Sequence, residues 1–228
     1  MPGIDRWDVE IDAGAVKLDG TLTIPRRRHG IIVFANGVGS RRDSVVARVL
    51  NDRGLGTLIL DLRSREGARP VEQVSEIAFD VATMAERVTF AIDWALRHPW
   101  TMGMRIGLFG SHSGAAGALI AAANRPVDVR GVVTRSGRAD LAGEALGRVL
   151  APTLFVVAGQ DPWILGLDEK AGAQMRAPHE LQIVPGATHM FDEPGKLEAV
   201  GALAADWFWT YVRPEQPLER AIDPHIWA

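Results

Sequence analysis

The sequence predicts an α/β protein: a mostly parallel, doubly wound sheet that opens with an antiparallel hairpin. Three observations carry this. Apolar runs of strand length alternate with amphipathic, helix-length segments from residue 31 to residue 211, the pattern of a sheet with helices on both faces. The runs at 31–35 and 153–158 are nearly continuous in Val, Ile, Leu, Phe and Ala, and 56–62 (GTLILDL) has an apolar centre, as strands covered on both sides should have. Residues 104–123, MRIGLFGSHSGAAGALIAAA, pass from such a run through glycines into a small-residue stretch, which reads as a strand, a sharp turn and a helix lying close to the sheet.

Taken in order, residues 16–24 (VKLDGTLTI) alternate apolar and polar about Asp19-Gly20, and Asp-Gly between such flanks predicts a hairpin turn. The strand at 31–35 empties into Asn36-Gly37-Val38-Gly39-Ser40, and a helix is expected over 41–53. The strand at 56–62 leads to a polar loop at 63–70. Ser75 then suits an N-cap for a long helix whose Ile77, Val81, Met84, Val88, Ile92 and Ala95 share one face. After the turn at 110–114 come a strand (129–134), a short helix (141–149), a strand (153–158), a helix (165–176) and a strand (181–184). A last helix over 195–211 should turn Leu197, Val200, Leu203, Ala204, Trp207 and Tyr211 inward. The tail over 213–228 carries three prolines and no usable period.

At 228 residues the expectation is one domain spanning 1–228, without a large lid domain. A hydrophobic fraction of 47% and a charged fraction of 23% are ordinary for a globular chain. No apolar run is long enough for a membrane span, and the acidic start MPGIDRWDVEID is unlike a signal peptide, so a cytoplasmic protein is expected. The absence of cysteine removes thiolate nucleophiles and thiolate-held zinc. Net charge is −3 with dispersed basic residues, which gives no footprint for nucleic acid. The expected partner is a small molecule, with a homodimer possible in principle and no cofactor or metal called for.

The turn Gly110-Ser111-His112-Ser113-Gly114 has the glycine frame of a nucleophile elbow, where the central residue sits at the tip of a strained strand-to-helix bend. Here the tip is His112. Two further strand-end loops carry Asp161 (Gly159-Gln160-Asp161-Pro162) and His189 (Gly186-Ala187-Thr188-His189-Met190), giving the chain order elbow residue, acid, histidine. Over roughly residues 15–212 the chain resembles the dienelactone hydrolase-like branch of the α/β-hydrolase fold, on its NGVGS loop, its elbow, its GQD loop and GATHMFDEPG. Members of that family typically hold Ser or Cys at the elbow and hydrolyse small esters or lactones without a cofactor. The resemblance implies that Asp161 orients His189 and that the backbone N–H groups of Val38 and Ser113 form an oxyanion hole. Asn36 stands where the family often has His, either as an added oxyanion donor or as a cap on its own turn. Arg135 and Arg138, just past a predicted strand, suit either a substrate carboxylate or a salt bridge at a helix entry.

Four readings of His112 stay open. It can attack an acyl group with His189 as base, pair with His189 in acid–base chemistry without a covalent step, join His189 and Asp161 around a divalent metal, or line a silent binding site. Ser111 and Ser113, off the tip, are poor nucleophiles. An alternative is part of a dinucleotide fingerprint, Gly37-Val38-Gly39 followed by Asp61. It fails at Arg42, where a third glycine belongs, and on its hairpin-first topology.

Overall fold

The computed structural model describes residues 4–36, 41–62 and 81–213. Among these, eight strands form one sheet in the order β1-β2-β4-β3-β5-β6-β7-β8, antiparallel at β1, β2 and β4 and parallel thereafter. The strands are β1 (Ile4–Ala13), β2 (Val16–Pro25), β3 (Ile31–Phe34), β4 (Gly56–Leu60), β5 (Ile106–His112), β6 (Val129–Gly137), β7 (Thr153–Ala158) and β8 (His179–Val184). Helices α1 (Arg41–Asp52), α2 (Val81–Arg97), α3 (Ser113–Asn124), α4 (Pro162–Gly172) and α5 (Lys196–Tyr211) alternate with them, and a 3-10 segment spans Ala139–Arg148.

The opening hairpin is real, but its turn is not Asp19-Gly20. The bend falls at Gly14, with φ 72°, while Asp19 and Gly20 pair with Glu10 and Val9 inside β2. The glycine at 20 serves packing instead: a Cβ there would stand 2.5 Å from a methyl of Leu60 on the neighbouring strand. The strand predicted to stop at 134 continues to Gly137, so Arg135 lies within β6 rather than beyond it. The helix expected over 165–176 starts earlier, at Pro162, and the segment after β6 is 3-10, kinked at Gly143, rather than an ordinary helix. The predicted N-cap Ser75, Ile77 and the tail from Pro214 onward lie outside the described residues.

The sheet divides two cores. One, on the α2 and α3 side, holds Leu18, Leu22, Ile31, Val33, Met84, Val88, Ile92, Leu108 and Leu119. The other, on the α1 and α5 side, holds Ile32, Phe34, Phe109, Val133, Val156, Val200, Ala204 and Phe208. The α2 face predicted from spacing is the buried one at Met84, Val88, Ile92 and Ala95. In α5, Leu197, Leu203 and Tyr211 are only partly buried, and Phe208 is the fully buried ring instead. Strands that run parallel and are covered on both faces end together, so the loops after β5, β6, β7 and β8 gather at one edge.

Candidate active site

The chain passes from β5 into α3 with no residue between them, and the joint is His112, at φ 52° and ψ −127°. Such a backbone costs on the order of 1–3 kcal/mol for a residue with a side chain. Two glycines make the bend possible. A Cβ on Gly114 would lie 1.8 Å from the carbonyl oxygen of Ala35, and one on Gly110 would lie 2.5 Å from that of Gly114. The first turn of α3 then begins at Ser113, so the Ser113 N–H is among the helix-terminal donors without an intrahelical acceptor. Val38, its expected partner in an oxyanion hole, lies outside the described residues.

The loops carrying Asp161 and His189 are tied together by the Gln160 N–H, which donates to the Ala187 carbonyl at 3.0 Å. Asp161 divides its carboxylate. Oδ1 caps α4 by accepting from the Ile164 N–H at 3.2 Å, and Oδ2 accepts from His189 Nδ1 at 2.5 Å. The second contact fixes His189 with its proton on Nδ1 and its Nε2 turned away from the acid. His112 and His189 meet edge to face, with ring centroids 5.1 Å apart. The three residues picked out in the sequence are therefore brought together.

Asn36 reaches across the sheet to the elbow. Its Oδ1 accepts from the backbone N–H of Ser111 at 2.8 Å and from the Ser111 hydroxyl at 3.0 Å, holding β3 to the elbow. Its Nδ2 is buried with no hydrogen-bond partner among the described residues. The Ser111 oxygen in turn stands 3.4 Å from His112 Nδ1.

Arg135, 2% exposed, lies on the α1 side of the sheet, under the influence of Asp43, Arg42 and Asp192. Burial lowers its pKa, and the Asp43 carboxylate opposes that effect. Arg42 clasps Asp192 through two bonds of 2.9 and 2.8 Å, joining the start of α1 to the loop just after His189. Arg138 takes the salt-bridge role: its Nε and Nη2 bind the two oxygens of Asp140, each at 2.8 Å, at the entry of the 3-10 segment. Its guanidinium also lies 5.2 Å from the ring centroid of Trp163.

These surroundings hold the His112 pKa down to about 4. Burial is the chief cause, followed by the positive charge of Arg135 and then by His189. His112 is therefore a neutral imidazole at physiological pH. Among the described residues, no three or more His, Asp or Glu side chains are grouped so as to hold a metal ion.

Sequence reasoning missed the Asn36 to Ser111 bond, Asp43 and Asp168. Asp43 carried a signal, being an acid in the first turn of a helix entered from a glycine loop. Asp168 carried none, since a lone acid on a helix reads as solvated.

Residues 18–212 match the Dienelactone hydrolase family, and the chain belongs to it. The dienelactone hydrolase of Anabaena variabilis is 41% identical with a TM-score of 0.88, over 92% of this chain and 99% of that one. A putative phosphoribosyl transferase of Mycobacterium tuberculosis is 45% identical over 91% of this chain, which spans only 47% of that protein's length. A probable 2-oxo-3-(5-oxofuran-2-ylidene)propanoate lactonase of Bradyrhizobium sp. is 28% identical over 72% of this chain and 73% of its own. No helix among the described residues is long and apolar enough to cross a membrane.

Proposed function

We propose that this hydrolase-type chain acts on a small ester, lactone or other acyl substrate by transferring the acyl group to His112. The carrying observation is a neutral imidazole at the tip of the elbow, beside a second imidazole already fixed by Asp161. An imidazole attacks through a lone pair and has no proton to give up at that nitrogen. His189 must therefore enter as an imidazolium, which makes its role acid before base. Attack by His112 gives a tetrahedral oxyanion, for which the Ser113 N–H is a donor, with the Asn36 Nδ2, without a hydrogen-bond partner among the described residues, and the Val38 N–H expected from the sequence as the further candidates. His189 protonates the departing alkoxide, leaving an acyl-imidazolium on His112. Now neutral, His189 takes a proton from water, whose hydroxide releases the acid and restores both side chains. Arg135, with Nη1 buried and without a hydrogen-bond partner among the described residues, suits an anionic group on the substrate; Arg138 is already committed to Asp140.

The same pair supports a second reading, acid–base chemistry without a covalent step, because two adjacent imidazoles can divide the roles of base and acid between them. The phosphoribosyl transferase name belongs to a protein about twice as long as the segment matched here.

The test is rapid quenching during turnover of an activated acetyl ester, followed by mass analysis of the elbow peptide. An acetyl group on His112 is expected, lost in His112→Ala. In His189→Ala the first turnover should slow along with later ones. Turnover by the wild type with no acylated His112 favours the acid–base reading. Equal turnover in His112→Ala overturns both readings of His112, and no turnover by the wild type leaves a binding site.

A further inference from the structure

The Asn36, Ser111 and His112 contacts form a chain in which each hydrogen constrains the next. The Ser111 backbone N–H can only donate, so the Asn36 atom 2.8 Å from it must be the carbonyl oxygen Oδ1, which settles how the amide is turned. That oxygen also lies 3.0 Å from the Ser111 hydroxyl. Two acceptors would repel at this distance, so the single hydroxyl proton of Ser111 points to Asn36. The Ser111 oxygen then has only lone pairs to offer to His112 Nδ1, 3.4 Å away, and the contact is attractive only if Nδ1 carries the proton.

We propose that Asn36, acting through Ser111, is a positioning residue that holds His112 in its Nδ1–H tautomer and leaves the Nε2 lone pair free to react. This rests on the acyl-transfer reading only for its catalytic consequence; the tautomer itself is a property of the resting protein. The arrangement mirrors the other half of the site, where Asp161 Oδ2 holds the proton of His189 on Nδ1. His112 thereby turns an unprotonated Nε2 to the space it shares with His189, so one ring is held by a neutral relay and the other by a carboxylate. The difference has a chemical sense. A carboxylate stabilises an imidazolium, which His189 must become, whereas a neutral serine–amide pair supplies orientation without raising the basicity of a nucleophile that must stay uncharged. Both relay members are buried, with Asn36 5% and Ser111 6% exposed, so water does not compete for these bonds. Neither residue touches substrate through this relay. Ser111 thus has work at the elbow although it is off the tip.

The experiment is nitrogen NMR of ring-labelled histidine at neutral pH without substrate, with His112→Gln used for assignment. The wild type should show His112 with Nδ1 protonated and Nε2 bare. Ser111→Ala should move the proton to Nε2, the form an exposed imidazole favours, and Ser111→Thr, which keeps a hydroxyl, should restore it. A wild-type His112 protonated on Nε2 overturns the proposal without recourse to any variant, as does Nδ1 protonation that persists in Ser111→Ala. Steady-state kinetics then separate the two ideas. If acyl transfer also holds, Ser111→Ala loses about tenfold or more in kcat with KM little changed. A proton that moves to Nε2 with kcat intact upholds the relay and overturns the nucleophilic role of His112.

Discussion

At the scale of single residues, what distinguishes this site is that burial does more than charge to set the state of His112. The like charge of His189 lowers its pKa, but it ranks below desolvation and the Arg135 guanidinium. Replacing His189 with Ala should therefore raise the His112 pKa from about 4 without returning it to 6.5, because the two larger causes remain. Ring-proton NMR titration reads this directly, and a His112 titration unchanged by the loss of His189 would contradict the 5.1 Å ring contact. Linkage gives a second consequence. The folded pKa is depressed below the unfolded value, so the unfolded chain binds the extra proton. The stabilising contribution is complete above pH 6.5 and is lost as pH falls from there through about 4. His112→Ser should flatten this part of the acid-side fall in Tm.

At the scale of elements, the elbow shows how a strand and a helix can be joined without a spacer only where backbone meets backbone. The glycine frame was legible in the sequence because no other residue tolerates such closeness. At 114 the obstructing atom is the carbonyl oxygen of Ala35, which cannot swing aside as a side chain can. Gly114→Ala should thus destabilise the fold by more than about 3 kcal/mol, measured as a large drop in Tm or failure to accumulate. An alanine variant with wild-type Tm would mean that β3 and α3 are not so closely packed. Gly20 teaches the opposite lesson. Beside Asp19 it imitated a turn, yet it is a gap left for Leu60, and only the pairing of β2 with β4 reveals that purpose.

At the scale of the whole molecule, Asp168 is where separate elements impose a cost. It lies fully buried in α4, neither carboxylate oxygen has a hydrogen-bond partner among the described residues, and its pKa is pushed up to about 8 by burial and then by Asp140 and Asp161. Here the folded pKa exceeds the unfolded one, so the folded state binds the extra proton and stability falls as pH rises from about 4 to about 8. Asp168→Asn, which needs no proton, should raise Tm more at pH 8 than at pH 5, with a gain on the order of 1–3 kcal/mol at the higher pH. An equal effect at both values would mean that Asp168 does not titrate in this range. Alternation of apolar runs, the helix faces of Met84, Val88 and Ile92, the elbow glycines and the order His112, Asp161, His189 were all written in the sequence, because periodicity and chain order are local properties. The sequence could not say that Asn36 grips Ser111 across 75 residues, that Arg42 clasps Asp192 across 150, or that Asp140 and Asp161 crowd Asp168. Those contacts depend on which strand lies beside which. Desolvation and charge at a site are sums over neighbours that only the folded sheet assembles, and they decide that the imidazole at the elbow is neutral.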